Sequence, residues 1–215
     1  MKQVITKDGS VTFFNEHYKE TYHSVTGAIE ESFKKFVFPS KIPELAEKES
    51  ISILDVCFGL GYNSCAAIDL IHDISPSCRI RIVALEKDEK LKDAVQRISP
   101  WLKHYFIIKE AYRDKEYNRN NVEIRMVFGN AETEIKKINE TFDAIFHDPF
   151  SPKKNPELWT EDFFSEEYRL LKKKGRLTTY SCARVVRDNL KKSGFVVEDG
   201  PRVGRRGPST IAVKQ

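Results

Sequence analysis

Several absences narrow the field. No apolar run approaches the ~20 residues that cross a bilayer. The chain is 32% charged with a mean hydropathy of −0.49, which excludes a membrane span and predicts a water-exposed globular fold. The opening residues MKQVITKDGS lack the apolar stretch of a secretory leader. Cysteine is scarce, and Cys57, Cys65, Cys78 and Cys182 form no Cys-x-x-Cys pair. That argues against a zinc site and a disulfide framework, and it fits a reducing cytoplasm. No internal repeat or low-complexity linker divides the 215 residues, a length suited to one domain with one sizeable core. Charge is nearly balanced at net +4, which permits an anionic partner without demanding one. Its distribution is uneven: Lys172, Lys173 and Lys174 form a run, and Arg202, Arg205 and Arg206 cluster near the end. Such clusters are phosphate footprints or plain solvated surface.

What is present is a strand–helix alternation. Val11–Phe14 predicts a short strand. Val25, Ile29, Phe33 and Phe36 recur at helical spacing, and Pro39 ends that helix. These first 45 residues form an extension before the core, which is expected over residues 46–215. There Ile51–Val56, Ile80–Leu85, Val122–Phe128, Phe142–His147, Arg176–Ser181, Phe195–Glu198 and Thr210–Val213 predict seven strands. Helices are expected around Ala66–Ile71, Leu91–Ile98, Phe164–Leu171 and Val185–Lys192, with Trp101–Asn121 helical and then loop. Alternation of this kind predicts an α/β fold with a parallel sheet covered on both faces. The last two strands have no helix between them and are expected as an antiparallel pair at one edge. Ligands bind beyond the carboxyl ends of such strands, so the chemistry is sought there.

The first strand runs into Asp55-Val-Cys-Phe58-Gly59-Leu-Gly61-Tyr-Asn63. Glycines let a ligand approach the backbone, and the next helix presents its positive end. As a dinucleotide fingerprint the turn is poor, because Ser64 stands where the third glycine belongs. S-adenosylmethionine has no pyrophosphate and needs no third glycine. The second strand ends in Glu86, suited to ribose hydroxyls. The third ends in Gly129-Asn130-Ala131, where an amide side chain reaches an adenine edge. The fourth ends in His147-Asp148-Pro149-Phe150. Pro149 and Pro152 stiffen the following loop and pre-position Asp148, and Phe150 can stack on a base. Aspartate, proline and an aromatic recur where an amino group is held for methylation. The blander readings are a tight turn, a surface glutamate, a loop salt bridge, and His147 and Trp159 as core residues.

The stretch His147–Trp159, HDPFSPKKNPELW, resembles the signature of the bacterial methyltransferases that finish 5-methylaminomethyl-2-thiouridine at the tRNA wobble position. Asn15–Ser24 and Gly27–Ser32 are similar to that family's N-terminal segment. Asp55–Asn63 is similar to its glycine turn, Leu171–Ser181 to its Leu-Leu-Lys…Thr-Tyr-Ser strand, and Gly204–Gly207 to its basic ending. Cys57 stands where the family pattern has its first glycine, Asp55 where it has Glu, and Pro149 where it has Gly or Ala. The resemblance implies a class I S-adenosylmethionine-dependent methyltransferase, a Rossmann-like seven-stranded sheet with its last strands antiparallel. It also implies the stand-alone form, without a fused flavin oxidase, acting on 5-aminomethyl uridine in the tRNA anticodon arm with no metal.

By position, the resemblance makes Asp148 the essential carboxylate near the amine. Tyr22, Asp55, Phe58, Gly59, Gly61, Asn63, Glu86, Asn130 and Ala131 are expected around the cofactor. Phe150, Pro152, Lys153, Arg205 and Arg206 are expected to meet the RNA. Three alternatives stand beside this reading. They are a methyltransferase for another amine, a nicotinamide-dependent oxidoreductase and an inert RNA-binding module.

Overall fold

The computed structural model describes residues 1–204 and 206–215. The chain opens with β1 (Lys2–Ile5), β2 (Val11–Asn15) and β3 (Glu20–Thr21), a small antiparallel sheet. α1 (Ala28–Glu31) follows and widens into a π-helical turn over Ser32–Val37. The Phe38 N–H reaches the Phe33 carbonyl at 3.0 Å, five residues back. Ser32 Oγ donates to the Ala28 carbonyl at 3.0 Å, a side-chain bond that loosens helical winding. The predicted single helix from Val25 therefore begins later, and Val25 lies 52% exposed ahead of it.

The core follows as α2 (Ile42–Leu45), β4 (Ser50–Val56), α3 (Tyr62–Ile74), β5 (Arg79–Glu86), α4 (Leu91–Arg97), α5 (Tyr105–Asp114), β6 (Glu116–Arg119) and β7 (Val122–Phe128). Then come α6 (Ala131–Glu134), β8 (Phe142–His147), α7 (Glu161–Leu170), β9 (Leu171–Thr179), α8 (Arg184–Lys192), β10 (Val196–Asp199) and β11 (Thr210–Val213). The large sheet has eight strands in the order β10-β11-β9-β8-β4-β5-β7-β6. From β9 to β7 the pairing is parallel. β11 lies antiparallel between β9 and β10, which leaves β10 at the edge.

The eighth strand, β6, falls inside Trp101–Asn121, expected as helix and loop. Glu-Tyr-Asn-Arg carries one buried side chain, Tyr117, and no β-branched residue. Among the described residues it pairs only with β7, at the sheet edge, where strand propensity counts for little.

The central strands are apolar on both faces. Ile53, Ile82, Ile124 and Phe146 pack with Ile29, Phe36 and Ile42 from the N-terminal helices and with Ile108 from α5. Leu54, Val83, Ile145 and Leu177 pack on the other face with Phe164 of α7 and Leu190 of α8. Burying each such side chain contributes about 1.5–3 kcal/mol. The chain fills one side of β4 with β5 and β7, then crosses to the other with β8. The switch between β4 and β8 opens a crevice at their carboxyl ends.

Candidate active site

A cavity of about 880 Å³ lies at that crevice. Its floor is the turn after β4. Cys57, Gly59 and Gly61 there have φ of +64°, +57° and +73°, so three of five residues are left-handed as the chain reverses into α3. A Cβ on Gly61 would sit 2.5 Å from Ile108 Cγ2 and 2.9 Å from Phe58 Cζ, so only glycine fits. Cys57 holds a left-handed conformation that disfavours an L side chain by about 1–2 kcal/mol. That explains why the resembling pattern has glycine at its position. Asp55 is fully buried beneath the turn. Its Oδ2 accepts from Ser64 Oγ at 2.6 Å, and Oδ1 has no hydrogen-bond partner among the described residues. Burial, partly opposed by Ser64, pushes the Asp55 carboxyl up to about 7.

Glu86 ends β5 with 8% of its surface exposed. Its Oε2 accepts from the Gly59 N–H, and its Oε1 from the N–H groups of Lys87 and Asp88, each at 2.8 Å. A carboxylate has about four acceptor positions, of which these amides take three. Burial raises its carboxyl above the ordinary range, against the pull of the amides.

Asp148 follows β8, and its N–H donates to the Val56 carbonyl at 3.1 Å. The half-buried side chain receives Asn63 Nδ2 on Oδ2 at 2.9 Å. Burial first, and then the charge of Glu31, hold its carboxyl well above the usual range. The Asn63 amide and Lys35 act in the opposite direction.

The loop after Asp148 is pinned residue by residue. Tyr180 Oη donates to the Pro149 carbonyl at 3.0 Å, and Trp159 Nε1 to the Phe150 carbonyl at 2.9 Å. The Ser151 N–H donates to Glu20 at 3.0 Å, while the Ser151 carbonyl accepts from the N–H groups of Lys154 and Asn155. The Phe150 ring stacks on Tyr18 with centroids 4.4 Å apart and tilts against Tyr22 at 5.1 Å. Tyr22 reaches over the glycine turn, with Cδ1 3.6 Å from a Cβ built on Gly59.

Tyr22, Phe58, Gly59, Glu86, Asn130, Ala131, Asp148 and Phe150 line the cavity. Asp55, Gly61 and Asn63 lie behind the wall, where Asn63 acts through Asp148. Pro152, Lys153 and Arg206 are off the wall, Lys153 and Arg206 exposed, and Arg205 lies outside the described residues. The Lys172–Lys174 run begins β9, at the opposite end of the sheet, where Lys172 pairs with Asp143. His147 is fully buried, with Nδ1 on Glu167 Oε1 at 2.8 Å and its ring edge-on to Trp159 at 4.6 Å.

Sequence reasoning missed Glu31, Lys35, His23 and Tyr18 on the wall. Spacing alone makes the first two an i,i+4 charge pair of a kind common on solvated helix faces, but both are buried. Burial lowers His23 to about 4, so its ring is neutral at pH 7. Among the described residues no group of three His, Cys, Asp or Glu could hold a metal ion, and no helix is long and apolar enough to cross a membrane.

Known proteins share this fold. A family model described as S-adenosyl-L-methionine-dependent methyltransferase matches residues 90–215, and the chain belongs to that family. The crystal structure of MnmC2 from Aquifex aeolicus is similar at a TM-score of 0.86 and 38% identity, covering 98% of this chain and 69% of that one. An uncharacterized protein of Methanocaldococcus jannaschii is 33% identical over 98% of this chain and 59% of its own length. The tRNA 5-methylaminomethyl-2-thiouridine biosynthesis bifunctional protein MnmC of Ralstonia nicotianae is 28% identical over 94% of this chain and 33% of its own length. The chain therefore spans from a third to under two thirds of these curated relatives. It is an S-adenosylmethionine-dependent methyltransferase related to the methyltransferase region of MnmC.

Proposed function

We propose that the protein methylates the primary amine of 5-aminomethyl-(2-thio)uridine at the wobble position of tRNA, giving 5-methylaminomethyl-(2-thio)uridine. The observation that carries this is Asp148, a carboxylate on the cavity wall with raised proton affinity and, among the described residues, a single neutral hydrogen-bond donor to its side chain. The role named for the Ralstonia relative, tRNA 5-methylaminomethyl-2-thiouridine biosynthesis, supports the RNA substrate.

The residues present fit the cofactor. Glu86 keeps acceptor capacity for ribose hydroxyls. Beneath the glycine turn, Asp55 Oδ1 and Asn63 Oδ1 are buried oxygens without partners among the described residues, and from behind the wall they would place negative potential under a cationic amino-acid end resting on the turn. Asn130 and Ala131 would meet the adenine, and Tyr22 would close over the bound molecule. When bound, S-adenosylmethionine would supply an electrophilic methyl group, with the C–S electron pair staying on sulfur as the C–N bond forms.

The chain's own residues prepare the nucleophile. An alkylamine resembles lysine, with a pKa of ~10.4, and is an ammonium at pH 7 without a lone pair. The Asp148 carboxylate takes one of its protons, directly or through water, and frees the pair. The pinned loop fixes Asp148 against the cavity wall, and alignment supplies much of the rate in an in-line displacement. An exocyclic base amine is already neutral at pH 7 and needs only an acceptor. The raised proton affinity of Asp148 therefore favours the alkylamine.

The test is methyl transfer from labelled S-adenosylmethionine to tRNA bearing 5-aminomethyl-2-thiouridine, with digestion and identification of the labelled nucleoside. Label is expected in 5-methylaminomethyl-2-thiouridine. Label confined to an exocyclic base amine, or none with cofactor bound, would overturn the reading.

A further inference from the structure

We propose that Glu31 and Lys35 complete the seat for the substrate amine. Glu31 is a second carboxylate that receives the ammonium together with Asp148, and Lys35 is the positioning residue that holds Glu31 in place. This rests on reading the site as an amine methyltransferase and adds the part of it that the N-terminal segment builds.

Both side chains line the cavity that Asp148 lines. Glu31 is 8% exposed and Lys35 4%. Lys35 Nζ donates to Glu31 Oε1, and the Ser24 N–H donates to Glu31 Oε2 at 2.9 Å, so both oxygens are oriented. An ion pair buried in this way adds little net stability, and apolar side chains would fill the space as well or better. Stability therefore does not explain it. The pair spans the change from α-helical to π-helical winding, a departure that often marks functional positions.

Charge gives the pair its purpose. Asp148, Glu31 and Lys35 together carry one net negative charge when ionised, the complement of one ammonium. The substrate amine arrives as a cation beside a second cation, the sulfonium, and Glu31 adds a carboxylate on the wall that Asp148 lines. From the other elements around Asp148, Asp55 adds a carboxyl from β4, Cys57 a thiol from the turn and Glu86 a carboxyl from β5, and Tyr180 follows β9. None of these is a cation. Lys19 and Lys87 also line the cavity, and among the described residues Lys35 is the cation that chiefly opposes the raised proton affinity of Asp148.

The test uses Glu31→Gln and the double variant Glu31→Gln/Lys35→Met, which leaves neither charge buried alone. In both, KM for the aminomethyl RNA should rise about tenfold, the size of one charge-assisted contact. Affinity for S-adenosylmethionine should change less than twofold. In Glu31→Gln, Asp148 loses a negative neighbour, so the acidic limb of kcat/KM should move to lower pH. In the double variant it should move the same way by less, because Glu31 acts on Asp148 more strongly than Lys35 does. Glu31→Asp should restore part of the wild-type KM. An unchanged KM and pH profile in folded variants would overturn the proposal.

A substrate-free measurement separates this outcome from a wrong substrate. Carboxyl-selective carbon NMR of the full chain follows the Asp148 titration directly. A lower midpoint in the double variant supports the pair even where the RNA is not methylated. An unmoved midpoint overturns it even where the RNA is.

Discussion

Strand β8 has one aspartate near its start and another just past its end, and the two live in opposite circumstances. Asp143, near the amino end, accepts Lys172 Nζ at 2.8 Å, Lys48 Nζ at 3.3 Å, and the Ser52 N–H and Oγ at 2.9 Å each. Its burial raises the carboxyl, but these donors outweigh burial and hold it below the usual range. Asp148, beyond the carboxyl end, has one amide donor and two further carboxylates acting on it, and its carboxyl is raised. The strand treats the first as structure and leaves the second poised to take a proton. Oppositely shifted carboxyls with oppositely satisfied environments separate a fastener from a base.

The largest expected effect breaks the poised end. Asp148→Asn should lower methyl transfer by about 10²–10⁴-fold, the range general-base catalysis supplies. Cofactor affinity, read by calorimetry, should change little. The same variant sharpens the comparison through stability. A carboxyl with a raised folded-state pKa binds its proton more tightly when folded, so ionisation at neutral pH opposes folding. Asp148→Asn should therefore raise Tm at pH 7, by about 2–4 °C for each kcal/mol relieved.

Asp143→Ala should act in the opposite sense, removing about 2 kcal/mol of stability by denaturant unfolding while folded protein keeps its rate. The pH dependence has a matching sign. The folded pKa of Asp143 is depressed, so its contribution is full above the unfolded value of ~3.9 and fades as pH falls through the folded value. Asp8 behaves alike: hydrogen bonds from Ser10, Thr6 and the Glu30 N–H outweigh its burial and lower it to about 2. Acid melts should show wild type losing stability below about pH 4, and Asp143→Ala losing less there.

The smallest effect concerns the floor both ends share through β4. Cys57→Gly relieves a left-handed side chain and should raise stability by about 1 kcal/mol, or about 2–4 °C. An unchanged or lower Tm would mean that packing of the thiol outweighs the strain.

Much of this was legible in the sequence. Parallel strands buried on both faces read as apolar runs, so β4, β5, β7 and β8 stood out, and their ends led to Glu86, Asn130 and Asp148. β6 was not legible, because an edge strand with one buried tyrosine carries no periodic signal. The π-helical turn was also hidden, since Ile29, Phe33 and Phe36 satisfy ordinary helical spacing. Glu31 and Lys35 were visible as residues but not as a site, because burial of an i,i+4 pair depends on what tertiary packing lays over it. Asp55 and Asn63 were singled out by the turn, yet they stand behind the wall. Spacing gives proximity to a turn, not which side of it a side chain takes. Lys153 shows the limit again, exposed and away from the cavity although it sits inside the most distinctive motif.

One comparison tests the central claim most directly. Wild type and Asp148→Asn, both saturated with labelled S-adenosylmethionine, are given tRNA bearing 5-aminomethyl-2-thiouridine across a range of pH. The prediction is label in the N-methylated nucleoside for wild type, with a rate that falls as pH drops through the raised Asp148 titration. Asp148→Asn should lose at least about 10²-fold and that acidic limb. Equal rates and equal pH profiles for the two proteins would contradict it.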